Sequence, residues 1–138
     1  MIEAWLRRTR THLVGPPLVA AGAMAVLAHV AVVDPNEPGH YPTCPFHALT
    51  GLWCPGCGSL RALHALTQGD VAAAAGLNVL TVAVLPVLLV VFVRWTMRTW
   101  TGAPPILAVR PAYIWGLFGL VVAFGVVRNL PWAGVLAP

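Results

Sequence analysis

An all-α membrane protein, with three transmembrane helices and a cysteine-bearing loop outside the cytoplasm, is the fold class this sequence predicts. Three observations lead there. The 138 residues are 59% hydrophobic and only 9% charged, with a mean hydropathy of +0.80, whereas a soluble domain is roughly a quarter charged. Three apolar runs approach or exceed the roughly 20 residues a helix needs to cross hydrocarbon. The arginines collect at alternate ends of those runs, which is the positive-inside pattern. The chain reads as one membrane domain over 1–138.

The first span, residues 13–33, reads LVGPPLVAAGAMAVLAHVAVV and is interrupted only by His29. Pro16 and Pro17 fall in its first turn, where a missing amide costs little. His29 is expected to be a packed or hydrogen-bonded histidine, although polar groups within spans are functional candidates. A basic start, an apolar run and the weak Val26-Leu27-Ala28 site are also the parts of a signal peptide. The run continues to Val33, however, so a retained span is expected.

The second span, residues 71–93, contains Asn78 and Pro86 as its irregularities; Asn78 is expected to bond a neighbouring helix. The third, Pro111–Val127, is at the short end of the range. Helices are the open-chain way to satisfy a backbone in hydrocarbon, so an α-helical bundle follows. The small residues Gly76, Gly116, Gly119, Ala123 and Gly125 let helices approach closely. Gly119 and Ala123 have the small-xxx-small spacing that suits a homo-oligomer or a larger membrane complex.

The chain has no lysine, and its eight arginines against four acids give +4. That excess sits in short segments beside apolar runs, so the expected partner is the lipid bilayer, with no nucleic acid. Arg7, Arg8 and Arg10 precede the first span; Arg94, Arg98 and Arg110 lie between the second and third. The other side holds Arg61 and Arg128 together with Asp34, Glu37 and Asp70. The N-terminus is therefore expected in the cytoplasm and the 34–70 segment outside. Arg128 reads as an interfacial anchor, and Trp53, Trp95, Trp100 and Trp132 fall near the interfaces where amphipathic rings are favoured.

All three cysteines lie in CPFHALTGLWCPGCGSLRALHAL, residues 44–66. Cys44-Pro-Phe-His47 and Cys54-Pro-Gly-Cys57 each offer ligands at i and i+3. Zinc is held tetrahedrally by such pairs, and Cys44, His47, Cys54 and Cys57 make one Cys3His set, although the spacer is shorter than in typical zinc modules. Gly58 allows the backbone to fold tightly after the second pair. A second chemistry is redox. SLRALHALTQ has helical character with Ser59 as its cap, so Cys57 would stand at a helix N-terminus near Arg61, and both lower a thiol pKa. Cys54 or Cys57 would then attack. The third reading is one structural disulfide from Cys44 to Cys54 or Cys57, which outside the cytoplasm would persist and would stabilise by ~3 kcal/mol. On that short interfacial helix Cys57, Arg61, His64 and Gln68 share a face, and Leu60, Leu63 and Leu66 face lipid.

These residues resemble a known family. Cys44-Pro45, Thr50-Gly51, Cys54-Pro-Gly-Cys-Gly58, Arg61-Ala62, Gly69-Asp70 and Asn78 are similar to the pattern of the bacterial membrane proteins called domain of unknown function 2752. The likeness covers about 44–80 and the layout of the flanking spans. Many members carry threonine where this chain has Leu60. The resemblance implies a multi-pass protein of a bacterial cell membrane and supplies no activity. The function expected is a non-enzymatic accessory or assembly component with a disulfide- or zinc-stabilised loop; the alternative is a membrane thiol–disulfide oxidoreductase using Cys54 and Cys57.

Overall fold

The computed structural model describes residues 2–103 and 111–134, with side chains in the first helix from residue 14 onward. Arg110, and the side chains of Arg7, Arg8 and Arg10, lie outside the described residues. The architecture is all-helical: α1 Ile2–Val32, α2 Pro45–Thr50, α3 Ser59–Thr67, α4 Val71–Thr101 and α5 Pro111–Val127. Among the described residues there is no strand.

Among the described residues, two helices carry stretches long and apolar enough to cross a membrane, Val14–Val32 and Val71–Thr101, and α5 is a shorter apolar helix. Both run past the apolar limits read from sequence. α1 starts well before residue 13, and α4 continues through Arg94 and Arg98 to Thr101. Hydropathy measures the stretch that suits lipid, whereas a helix ends where its hydrogen bonds do. α4 ends at Gly102, in the left-handed region at φ 68, whose amide donates to the carbonyl of Arg98.

Between the long helices the chain folds into a compact cap. Thr50 Oγ1 donates to the carbonyl of Phe46 at 2.7 Å and accepts from the amide of Leu52 at 3.2 Å, closing α2, and Gly51 supplies the left-handed residue after it. α3 begins after Gly58, which occupies the cap position at φ 81. Ser59, expected as the cap, is instead the first helical residue, because its hydroxyl is taken by Asn78 and Thr81 of α4 at 3.2 and 2.8 Å. α3 turns directly into α4: Gly69 adopts φ 82, and Asp70 Oδ1 caps α4 by accepting from the amide of Ala73 at 2.8 Å. Ala62, Ala65 and Ala74 form the small core there, with Leu66, Leu77 and Val82 against it. Alanines allow the close approach that α3 and α4 need to turn back to back.

α3 also seals the end of α1. His64 Nδ1 lies 2.7 Å from the carbonyl of Val30, and Gln68 Nε2 donates to that of Ala31 at 3.4 Å. Both carbonyls belong to the last turn of α1 and lack helical partners. The C-terminal end of α1, the N-terminal end of α4 and the end of α5 thus meet the cap.

Candidate functional site

The chemistry of the cap is concentrated in its sulfurs. Cys44 immediately precedes α2. Cys54-Pro-Gly-Cys57 is a tight turn in which the amide of Cys57 donates to the carbonyl of Cys54 at 3.0 Å. Folding brings Cys44 Sγ to 3.5 Å from Cys54 Sγ, and Cys54 Sγ to 3.0 Å from Cys57 Sγ. All three sulfurs lie within 4.8 Å of one another and could hold a metal ion. None is joined to another in a disulfide.

The turn is gripped from behind by two helices. Pro55 has no amide, and the Cys54, Pro55 and Cys57 carbonyls all point at side chains from distant sequence. Asn78 of α4 is 1% exposed, and its Nδ2 donates to the carbonyls of Pro55 and Cys57 at 2.9 and 3.0 Å. Arg128, just past α5, is equally buried. Its Nη1 donates to the carbonyls of Cys54 at 3.0 Å, Cys57 at 3.1 Å and Pro55 at 3.5 Å. Its guanidinium lies over the Phe124 ring, 5.1 Å from the centroid. Asn129 clasps the neighbouring residue: Oδ1 accepts from the Trp53 amide and Nδ2 donates to the Trp53 carbonyl, both at 2.8 Å.

Of the residues singled out from sequence, Cys44, Cys54 and Cys57 are brought together. His47 is not among that group. Its Nδ1 lies 3.2 Å from the Leu52 carbonyl and its ring stacks on Trp53 at 3.9 Å, so it braces the loop. Arg61 is exposed. His64, besides capping α1, has Nε2 3.9 Å from Asp34 Oδ1. His29 meets Tyr41 edge to face, 6.0 Å between ring centroids. Arg128 and Asn129 are the residues that sequence reasoning missed as partners of the cysteines. The only local signal was an Arg-Asn pair immediately after an apolar helix.

Environment separates the thiols. Burial, reinforced by the Cys54 and Cys44 sulfurs, pushes the Cys57 thiol up to about 12. The backbone amide of His47, with help from Cys54, holds Cys44 below the ordinary thiol range. Cys57 thus departs from the activated thiol expected at a helix start. In the folded, metal-free protein Cys57 keeps its proton more tightly than in the unfolded chain, whose ordinary value is 9.0. Its contribution is complete below that value and disappears as pH rises towards about 12, because the unfolded thiol ionises first. Metal-free protein in detergent is expected to lose unfolding stability across that window, and Cys57→Ala is expected to flatten the loss. An identical pH profile for the variant would remove Cys57 as its source.

Over residues 44–92 the chain matches the family described as protein of unknown function (DUF2752). The match supports the resemblance carried by the cysteine motif. It takes in the three cysteines, α2, α3 and most of α4, and stops before Arg128 and Asn129. Comparison with curated proteins and with solved structures gives no match.

Proposed function

We propose that this chain is a small multi-pass membrane protein, non-enzymatic itself, whose extracytoplasmic cap is fastened by a thiophilic metal ion held by Cys44, Cys54 and Cys57. The observation that carries the reading is the convergence of three sulfurs within 4.8 Å. An ion about 2.3 Å from each sulfur, as in zinc thiolates, sets tetrahedral sulfurs roughly 3.8 Å apart. The observed spacing is therefore within about 1 Å of what one ion needs. Zinc fits the donor set, and an exogenous ligand would take the fourth position.

Three crossings are supported by where the helix ends meet. The end of α1, the start of α4 and the end of α5 share the cap, as one side of an odd-numbered bundle requires. The apolar windows of α1 and α4 are only 11% and 6% buried within the protein. A core helix of a soluble domain would be covered, so this surface suits lipid. Arg94 and Arg98 near the far end of α4 support placing that end in the cytoplasm. The uncovered apolar helices suit an accessory or assembly role beside a larger membrane complex or a second copy. A redox role finds less support, because Cys57 is buried with a raised pKa.

Metal analysis and intact mass of protein extracted from membranes without reductant test this. The expected result is zinc stoichiometric with the chain and three reduced cysteines. Cys44→Ser, Cys54→Ser and Cys57→Ser should each weaken binding by more than about a hundredfold, beyond the usual range for outer-shell partners. A stable Cys44 disulfide without metal would replace the ion by a covalent cap. A Cys54–Cys57 disulfide that glutathione opens readily would favour the oxidoreductase.

A further inference from the structure

We infer that Arg128 is the counter-cation of the cysteine cluster, the charge that lets three thiolates hold a divalent ion as a neutral unit. This rests on the metal-fastened cap proposed above and concerns what completes it.

Arg128 presents a problem that the hydrogen bonds alone do not solve. Its side chain is 1% exposed, and a guanidinium does not give up its proton. A full positive charge is therefore buried. Burying a charge without a counter-charge is costly, yet among the described residues no carboxylate pairs with Arg128. Asp34 lies by His64, Glu37 by His40, and Asp70 caps α4. Carbonyls satisfy Nη1, but Nε and Nη2 are buried with no hydrogen-bond partner.

The groups near it that can become negative are the thiols. Nη1 bonds the carbonyls of Cys54 and Cys57, so the cation is anchored on the backbone of two of the three sulfur-bearing residues. Three thiolates around a divalent ion leave one net negative charge, and Arg128 cancels it. A monovalent ion would leave the unit negative, and thiolates with no ion would leave it strongly so. The orphaned guanidinium donors and the sulfur cluster thus each supply what the other lacks. The Phe124 ring against the guanidinium adds a surface that favours cationic charge.

The test is titration of reduced protein in detergent with cobalt(II), read by its thiolate absorption, followed by competition with zinc. Wild type is expected to bind. R128Q, which keeps an amide donor and loses the charge, should bind about 10- to 100-fold more weakly, the range for outer-shell partners. R128K should stay within about threefold of wild type. Asn129→Ala, which loosens the same α5 contact without removing charge, should also stay within about threefold, as an uncharged contact that touches no ligand. Wild-type affinity in R128Q would overturn the counter-cation while leaving the metal-fastened cap in place. Equal weakening in R128Q, R128K and Asn129→Ala would assign Arg128 to docking alone and would also overturn it. Failure of wild type to bind any divalent ion would remove the metal-fastened cap and this inference together.

Discussion

Asn78→Ala is expected to destabilise the protein by about 3–5 kcal/mol and to open the 34–70 segment to protease. The size follows from how many jobs one amide performs in a place water does not reach. Nδ2 serves the carbonyls of Pro55 and Cys57 and the hydroxyl of Ser59, and Oδ1 accepts from the Thr81 amide at 3.0 Å. That last bond matters because Asn78 is non-helical inside α4, at φ −161 and ψ 94. The helix is interrupted there, and the Asn78 side chain caps the part that resumes. Alanine would leave the Pro55 and Cys57 carbonyls to Arg128 alone and the Thr81 amide uncapped; three lost hydrogen bonds at about 0.5–1.5 kcal/mol each add to an unsatisfied amide at about 1–3 kcal/mol. Thr81→Val removes only the hydroxyl contact to Ser59 Oγ and should cost about 1 kcal/mol. Unfolding in detergent, paired with limited proteolysis, separates the two. An Asn78→Ala protein no weaker than Thr81→Val would mean that the cap is not hung from α4 through this residue.

The same residue shows which parts of the structure were legible in the sequence. Apolar length made the helices readable, and the i, i+3 spacing made the cysteines readable as a group. Asn78 stands out as a polar residue in an apolar run, and the bond expected to a neighbouring helix is made to Ser59 of α3. Its other acceptors lie in the cysteine turn, because a proline-containing turn has spare carbonyls and one amide can answer several. His47 shares the spacing of a ligand, yet the six-residue α2 directs it to the Leu52 carbonyl and the Trp53 ring. Arg128 was hidden for a different reason. An arginine ending an apolar run looks like a snorkelling anchor, and its contact with Cys57 spans 71 positions, a distance no local pattern encodes. Gly125 looked like part of a stripe for helix approach, and its neighbour is a loop.

Gly125 therefore provides the second large effect. A Cβ placed there would lie 2.9 Å from Cγ and 3.3 Å from Cδ of Pro55, and 3.9 Å from its backbone nitrogen. A proline ring cannot swing aside, and this one is held by Asn78 and Arg128 through its own carbonyl. The strain must be relieved by moving α5. Gly125→Ala is expected to cost about 1–3 kcal/mol, as overpacking does, and Gly125→Leu more. Gly119→Ala is the control on the same helix: nothing lies within 4 Å of its Cβ, and alanine favours a helix over glycine by up to about 1 kcal/mol. The two substitutions should therefore differ in sign. They should differ in reach as well, since displacing α5 at Gly125 pulls Arg128 off the Cys54 and Cys57 carbonyls and Asn129 off Trp53. Cleavage of the 34–70 loop should rise in Gly125→Leu and not in Gly119→Ala. Equal behaviour of the pair would mean that α5 does not bear on Pro55, and that the sulfur-bearing turn is held from that side by Arg128 and Asn129 alone.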